Sequence, residues 1–257
     1  MIDSLRPGGE TFSVCRPLPP LTILADGSPS DDLTEQCEAL GLRLAGQIGD
    51  TSSGYILTGA ADEDAVRRGL AYPYGGFVEL GMEGLLGVGL RCFETVRAGG
   101  ISLSLTTRSV YALGTLELVS EAIRKTMALA PGEAAELIDI CLGEAISNAV
   151  MHGNLEVPPY LRINAEGFHV FRQVMQERLA DPVLSNRRIE INVMPRGDGF
   201  LTVMVSDHGQ GFTLAEQLTH HVDSEAKSGR GLGLINRICA SLLTEDGGRT
   251  LVMTFSR

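Results

Sequence analysis

The sequence predicts an α+β protein in which a small α/β domain, residues 1–98, precedes a larger domain, residues 99–257, built as a mixed sheet faced by helices. Three observations support this division. Strand-like and helix-like segments alternate before residue 98, which is the pattern of a parallel α/β unit. Alternating strands near the C-terminus are joined by short glycine-rich turns, which is typical of antiparallel hairpins. A long apolar helix, Glu136 to Asn154, lies between these two regions and carries a polar stripe.

Composition limits the classes of protein and partner. The chain has 257 residues, of which 44% are hydrophobic and 21% charged, as in ordinary globular proteins. A net charge of −11 argues against a surface for nucleic acid or anionic membranes. No apolar run reaches the roughly 18 residues needed to span a bilayer, and the N-terminus lacks a signal-peptide pattern. The five cysteines are scattered without a C-x-x-C pair, so we expect a cytoplasmic protein with reduced thiols and no zinc site.

The N-terminal region reads as three strand–helix repeats after an irregular arm over residues 1–19. The predicted strands are 21–27, 54–59 and 76–81, and the predicted helices are 31–46, 61–71 and 82–99. This alternation vaguely resembles a shortened response-regulator receiver domain. A working receiver needs an acceptor aspartate at the end of its middle strand, and GYILTG has none. The resemblance therefore implies a degenerate domain that serves as a docking surface rather than as a phosphorylation switch.

The C-terminal region starts after Gly99-Gly100 and contains the remaining predicted elements. The predicted strands are 101–107, 188–195 and 200–207, the predicted helices are 109–129, 136–154, 167–184 and 234–243, and a hairpin turned at 246–248 ends the chain. The helix at 167–184 belongs to a helical insertion over 155–187. This insertion either packs on the sheet or forms a surface for a partner or a homodimer.

The long helix carries its polar residues at helical spacing. Glu144, Asn148 and His152 continue a stripe that begins with Leu137 and Cys141, while the flanking faces are apolar. A buried acid and a buried amide need partners. The helix alone leaves two interpretations open, namely a core helix whose polar groups are satisfied internally and a binding site.

Two later motifs favour the binding site. Residues 201–212, LTVMVSDHGQGF, form an apolar strand that ends in D-x-G-x-G-F, and residues 228–235, SGRGLGLI, place three alternating glycines before a helix. The ordered set resembles the N, G1 and G2 boxes of the GHKL ATPases, whose fold is the Bergerat fold. Gyrase, heat-shock chaperone, histidine kinase and mismatch-repair ATPases belong to this superfamily. The resemblance covers residues 99–257 and implies a two-layer α/β sandwich that binds ATP.

The resemblance also implies roles for the polar stripe. Asn148 matches the asparagine whose side-chain oxygen binds Mg²⁺, an ion that prefers oxygen ligands. Glu144 matches the general base of the family, with orientation of the metal shell as the alternative role. His152 is expected to position the end of the helix or a phosphate.

The remaining implied residues surround adenine and the phosphates. Asp207 matches the aspartate that accepts a hydrogen bond from the adenine amino group. Glycines of the G1 box let the backbone approach the base, and those of the G2 box present N–H groups to phosphates at a helix start. The implied nucleotide site comprises Asn148, His152, Asp207, Gly209, Gly211, Phe212, Gly229, Arg230, Gly231, Leu232, Gly233 and Thr250.

Within this superfamily the chain is most similar to the anti-sigma-factor serine/threonine kinases. None of its five histidines precedes the long helix, as the phosphorylated histidine of a histidine kinase would. The similarity implies a protein partner, which would be a sigma factor, an anti-sigma antagonist or another signalling protein. The helical insertion and the extra N-terminal region depart from the compact kinases. A nucleotide-gated binding module without kinase activity, or an atypical histidine-kinase-like ATPase, therefore stays as the alternative.

Overall fold

A computed structural model describes residues 20–49, 54–162, 165–220 and 230–256, and within them one nine-stranded sheet forms the centre of the protein. The strand order is β2-β1-β3-β4-β5-β6-β7-β9-β8. The strands are β1 Leu21–Ala25, β2 Arg43–Ala45, β3 Gly54–Gly59, β4 Gly76–Glu79, β5 Ile101–Thr106, β6 Arg188–Pro195, β7 Phe200–Ser206, β8 Ser241–Glu245 and β9 Thr250–Ser256. The mixed α/β architecture predicted from the sequence is therefore confirmed.

Ten α-helices are found in the same described ranges. They are α1 Asp31–Ala39, α2 Glu63–Gly69, α3 Leu90–Arg97, α4 Thr107–Ala112, α5 Thr115–Thr126, α6 Glu133–Asn148, α7 Ala165–Ala180, α8 Pro182–Ser185, α9 Leu214–His220 and α10 Arg230–Ile238. Side chains alternate between the two faces of each strand, so two apolar clusters form, one on each side of the sheet. None of these helices is both long enough and apolar enough to cross a bilayer.

The first five strands of the sheet are parallel and follow the order 2-1-3-4-5. This order is that of doubly wound sheets of the flavodoxin type. Helices α1 and α3 pack in one apolar cluster, whereas α2 packs in the other. The crossovers β3-α2-β4 and β4-α3-β5 both step to the next strand in the same direction across the sheet, but their helices lie on opposite faces. The two crossovers therefore have opposite hands. Such crossovers are nearly always right-handed. The regular doubly wound pattern thus ends at β4. On β5, the face of the sheet that α2 covers further along is already covered by α5 and α6, so α3 packs on the opposite face.

The other strands are antiparallel to their neighbours from β5 through to β8. Helices α5, α6 and α10 cover one face of this part through Ile123, Ile138, Leu142 and Ile235. On the opposite face α3 packs against β5 and β6. The predicted two-layer sandwich is thus present, and α3 adds a third layer at its junction with the N-terminal strands.

Several predicted helices are shorter than the sequence pattern indicated. The prediction of one helix over 31–46 was wrong, because Gly41 adopts a φ of +63° after α1 and the chain continues as β2. The prediction over 82–99 was wrong in its first half, where Gly84 has a φ of +55° and begins a short 3-10 turn before α3. The predicted helix over 109–129 is interrupted between α4 and α5, at Leu113 and Gly114. The predicted helix over 234–243 ends in strand β8, and the predicted arm over 1–19 lies outside the described residues.

The sheet runs without interruption through the predicted domain boundary at residues 98 and 99. Strand β5 pairs with β4 on one side and with β6 on the other, so it belongs to both regions. A buried polar network also joins them. Arg188 of β6 donates to Ser104 Oγ at 3.2 Å and to the carbonyl oxygens of Glu79 and Gly84 at 2.9 Å each. Each half therefore contributes to the core of the other.

The inserted helix α7 packs on the ATPase side of the molecule. Met175 is buried, and Phe171 contacts the main apolar cluster. A cavity of about 390 Å³ lies between α7 and the helices α4, α5 and α6. Phe168 is exposed, although its ring stacks on that of Phe171, and Val170 is exposed on a different face of α7. Intramolecular packing thus explains one side of the insertion, and its other side is available for the partner surface considered above.

Candidate functional site

The candidate site begins on α6, whose polar stripe the sequence predicted. Glu144 and Asn148 are half-buried and one helical turn apart, so both face the same side of α6. The helix changes to a π-helical turn at Ala149–Asn154. Such turns are rare and are frequent at functional sites. The turn alters the register after Asn148, so the single α-helical stripe predicted through His152 was wrong.

The start of α10 lies directly against this pair of residues. A Cβ atom added to Gly231 would clash with Glu144 Oε2 and would lie 3.7 Å from Asn148 Nδ2. Because Gly231 has no Cβ, its backbone lies against the Glu144 carboxylate without a shift of that side chain. The predicted G2 and N boxes therefore meet in the structure. The first turn of a helix next to a carboxylate and an amide is a suitable place for a phosphate and its cation.

Asp207 follows β7 and is largely buried. Its Oδ1 accepts the N–H of Gly209 at 2.7 Å, and its own N–H donates to the carbonyl oxygen of Arg249 at 2.9 Å. Burial raises the pKa of Asp207 from its ordinary value of 3.8 to about 6, against smaller opposing effects of the Gly209 N–H and of Arg249 and Arg187. The side chain is thus mainly ionised at pH 7. Among the described residues its Oδ2 accepts no hydrogen bond, so it can receive an amino group.

Glycines bring the Asp207 loop against the end of the π-helical turn. A Cβ at Gly153 would lie 2.6 Å from Asp207 Oδ2, and a Cβ at Gly209 would lie 2.5 Å from the carbonyl oxygen of Gly153. The end of the π-helical turn and the loop after β7 therefore touch backbone to backbone. Phe212, at the end of the D-x-G-x-G-F motif, packs partly against the apolar core.

Asn154 connects these segments, although its place in the sequence indicated only the end of a helix. It is completely buried, and its Nδ2 donates to Thr107 Oγ1 and to the carbonyl oxygen of Arg188, both at 2.8 Å. Its Oδ1 accepts the N–H of His208 at 2.7 Å. The one side chain thus ties the π-helical turn to α4, β6 and the Asp207 loop. A Gly-Asn pair is an ordinary helix stop, so the sequence carries no signal for this role.

Thr250 lies beside the Asp207 loop, because it pairs with Ser206 in the β7–β9 ladder. The hydroxyls of Thr250 and Ser206 are 2.9 Å apart, and Thr250 Oγ1 donates to Asp246 Oδ2 at 2.7 Å. The Thr250 hydroxyl proton is therefore directed to the β8–β9 turn. This arrangement places the residue near Asp207, where the resemblance located adenine.

The other residues of the implied site have different surroundings. His152 is directed to the loop that follows its turn, with Nδ1 2.7 Å from the carbonyl oxygen of Val157. Leu232 packs against the core, whereas a Cβ at Gly233 would meet no atom within 4 Å. Arg230 is the first residue of α10, and Gly229 lies just before the range in which the chain is described again. The predicted roles of Gly229 and of the Arg230 side chain thus concern atoms outside the described part.

The comparison with protein families decides what kind of domain this is. The family model described as a histidine kinase-like ATPase domain matches residues 109–255. The chain belongs to the histidine kinase-like ATPase family. A search of curated proteins found no match. The match begins in α4 and ends in β9, so it includes every residue of the candidate site and leaves β1 to β5 outside.

The residues of this histidine kinase-like ATPase domain fit a Mg²⁺-bound adenine nucleotide. The backbone cradle at Gly231 faces a carboxylate and an amide, and Asp207 supplies a buried acceptor. Within the described residues, Glu144 takes part in no hydrogen bond or ion pair. No cluster of three or more His, Cys, Asp or Glu side chains suited to a metal ion occurs there either. Any cation would therefore depend mainly on the nucleotide phosphates for its ligands, with one oxygen from Asn148.

Proposed function

We propose that this protein is a Mg²⁺- and ATP-dependent protein serine/threonine kinase of the anti-sigma-factor type, which binds and regulates a partner protein. The observation that carries the proposal is the meeting of Glu144 and Asn148 with the start of α10 at Gly231. Membership of the histidine kinase-like ATPase family supports ATP as the nucleotide. Bound Mg²⁺ would supply positive charge to the transferring phosphoryl group.

Asp207 selects the base in this proposal. Its ionised carboxylate accepts a hydrogen bond from the adenine amino group, whereas the carbonyl of guanine would place two acceptors against each other. The Gly209 N–H binds Oδ1, so among the described residues Oδ2 is the oxygen without a donor. The close approach of Gly153 and Gly209 fixes the backbone next to Asp207, which would hold its carboxylate in place for the base.

Glu144 is the proposed general base. It takes the proton of a serine or threonine hydroxyl while the hydroxyl oxygen forms its bond to the γ-phosphorus and the bond from that phosphorus to the ADP oxygen breaks. A base must have a lone pair available, and the described residues leave both carboxylate oxygens of Glu144 without donors. Asn148, one turn later, orients the cation on the same side of α6.

The proposed partner is a protein and not a nucleic acid. The net charge of −11 disfavours contact with a phosphate backbone. The exposed apolar residues of α7 that we propose for contact with a partner or with a second copy of the chain are Phe168, beside Phe171, and Val170, on another face of the helix. The partner would be a sigma factor, an anti-sigma antagonist or another signalling protein.

Two measurements test the kinase function. Calorimetry should show binding of ATP, with GTP bound more weakly, and Mg²⁺ should increase the affinity for ATP. Incubation of the full chain with γ-labelled ATP and a cell lysate should then yield a labelled protein whose phosphate survives acid, as phosphoserine and phosphothreonine do. An acid-labile label would instead identify a histidine kinase-like transfer, and absence of ATP binding would overturn the whole proposal.

The second candidate function is a nucleotide-gated binding module without phosphoryl transfer. The continuity of the sheet between the ATPase domain and the N-terminal strands favours it, because a change at the nucleotide site can reach β1 to β4 through packed elements. ATP binding together with neither transfer nor hydrolysis would establish this function in place of the kinase. The expected partner would then be captured with ATP and released without it.

A further inference from the structure

One side chain of the N-terminal half reaches the turn next to the candidate adenine pocket. Arg91 lies in α3, outside the residues matched by the family model. Its Nη2 is 2.8 Å from Oε2 of Glu245, the last residue of β8, and 3.3 Å from Oδ2 of Asp246, in the turn between β8 and β9. Its Nη1 lies 3.9 Å from Met204 Sδ on β7. The guanidinium therefore bridges α3, the middle of the ATPase sheet and the β8–β9 turn.

The β8–β9 turn has a backbone that needs support from outside. Asp246, Gly247 and Gly248 have successive φ angles of 53°, 69° and 87°, all in the left-handed region. Glycine adopts these angles freely, but a residue with a Cβ does so at a cost. Asp246 is held by Thr250, which donates to Oδ2, and by Arg249, whose Nε donates to the Asp246 carbonyl oxygen at 2.9 Å. Arg91 supplies a positive charge to the same carboxylate oxygen that Thr250 binds.

The same turn holds the Asp207 loop in place. Arg249 accepts the Asp207 N–H through its carbonyl oxygen at 2.9 Å. A Cβ at Gly248 would overlap the backbone of Phe212, and a Cβ at Gly211 would lie 3.1 Å from the carbonyl carbon of Gly247. No side chain separates the turn from the D-x-G-x-G-F loop. A displacement of the turn must therefore move the Asp207 loop.

We propose that Arg91 is a positioning residue for nucleotide binding, through which the N-terminal half sets the ATP affinity of the ATPase domain. It acts through Asp246, which fixes the turn at Arg249 and hence the backbone of Asp207. The inference rests on the proposed ATP site and adds to it a control from outside the family domain. Because Arg91, Glu245 and Asp246 are partly exposed, each ion pair is weak, and removal of the guanidinium lowers ATP affinity by about three- to tenfold.

The experiment compares Arg91→Ala and Arg91→Lys with Arg68→Ala as a matched control. Arg68 also lies in the N-terminal half and pairs at 2.7 Å with Asp26, far from the turn in the strand order. Calorimetry measures the dissociation constants of ATP and GTP, and urea unfolding measures stability. Hydrogen exchange of residues 244–250 without nucleotide measures the order of the turn independently of any activity.

Arg91→Ala should weaken ATP binding three- to tenfold, reduce the preference for ATP over GTP and speed exchange at 244–250. Arg91→Lys should restore most of each, and Arg68→Ala should leave all three unchanged at a similar urea midpoint. Unchanged ATP affinity in Arg91→Ala overturns the inference, whether or not the exchange rate changes. Equal losses in Arg91→Ala and Arg68→Ala also overturn it, because they indicate a general loss of stability. If the parent protein binds no ATP, both the proposed function and this role of Arg91 are overturned. If the parent binds ATP and Arg91→Ala binds it equally well, only this inference is overturned.

Discussion

The junction between α3 and the sheet and the candidate site on α6 both contain acidic groups that are at least partly buried, but they differ in how completely these groups are satisfied. At the junction, Glu190 accepts the Gly89 N–H at 2.7 Å and the Ser104 hydroxyl at 3.2 Å. Its neighbour Glu79 accepts the Thr106 N–H at 2.6 Å. At the site, Glu144 accepts nothing from the described residues.

This difference separates acids that hold the fold together from acids that are free to act on a ligand. A buried carboxylate with several donors stabilises its surroundings and has little remaining capacity for a ligand. An acid with few donors costs stability and keeps its lone pairs available, which is typical of functional sites. Substitutions at the junction should therefore change stability, and those at the site should change binding or catalysis.

The largest expected effect that tests this contrast is on catalysis. Glu144→Ala should lower phosphoryl transfer or ATP hydrolysis by about 10²–10⁴-fold, because a positioned general base contributes about that much. ATP affinity and the free energy of unfolding should change little. Initial rates with labelled ATP measure the effect, with Glu136→Ala as the control on an exposed position of the same helix. An active Glu144→Ala protein would remove Glu144 from the role of base.

The next effect concerns the junction and should appear in stability. Arg188 is only 4% exposed and Glu190 6%, so Arg188→Leu leaves two carbonyl oxygens without their charged donor and removes the positive charge that attracts Glu190. The free energy of unfolding should fall by about 3–5 kcal/mol, in one cooperative transition for both halves. Urea unfolding measures it, and Arg196→Leu, in an exposed hairpin turn, should change it by less than about 0.5 kcal/mol. Two separate transitions in the parent would contradict the shared core.

Asp207→Asn should change binding and stability in opposite directions. ATP binding should weaken by about 1.5–3 kcal/mol, the range for a hydrogen bond to a charged group. The pKa of Asp207 in the folded protein, about 6, lies above the ordinary value of 3.8, so the folded state binds this proton more tightly than the unfolded state. Above pH 6 the buried carboxylate is charged and lowers the stability of the folded state. This cost is about 3 kcal/mol and disappears as the pH falls from 6 to 4.

The asparagine variant should therefore be more stable than the parent at pH 8 and equally stable at pH 4. Calorimetry measures the binding, and urea unfolding at the two pH values measures the stability. Asp198→Asn, in the exposed turn after β6, should leave both quantities at parent values. A variant that binds ATP like the parent would remove Asp207 from the adenine pocket, even if the pH dependence of stability agreed.

The smallest effect is confined to the metal. Asn148→Ala removes the one oxygen ligand that the protein supplies to Mg²⁺, while the phosphates keep supplying theirs. The dissociation constant of ATP should therefore be the same with and without Mg²⁺. Binding without Mg²⁺ and the free energy of unfolding should stay at parent values. Calorimetry with Mg²⁺ or with a chelator measures both constants. Equal Mg²⁺ dependence in the variant and the parent would contradict the proposed ligand.

The family and much of the site could be predicted from the sequence. The spacing of Glu144 and Asn148 gives one helical face whatever surrounds the helix. Strand β6, Arg188–Pro195, was predicted with its observed bounds, because alternation of apolar residues and a glycine-rich turn are local signals. The family was named from three ordered motifs, and the match over 109–255 confirms it. The finer assignment to the anti-sigma-factor kinases stays a proposal.

Other features depend on contacts between residues far apart in the chain. Strand β2 has three residues and exists because β1 pairs with it, and its sequence continues a helical pattern. Asn154 acquires its role only when Thr107, Arg188 and His208 surround it. Arg91 reaches Asp246 from 155 positions away.

The sequence by itself determined where most of the helices and strands lie and which side chains of one helix could share a face, because backbone period and turn chemistry are local properties. The tertiary structure alone decided that β5 joins two halves in one sheet, that α3 packs opposite α2, and that Arg91 lies beside the β8–β9 turn. These outcomes depend on which strand edges pair and which faces are already covered. Such a competition between distant segments leaves no periodic signal in the sequence.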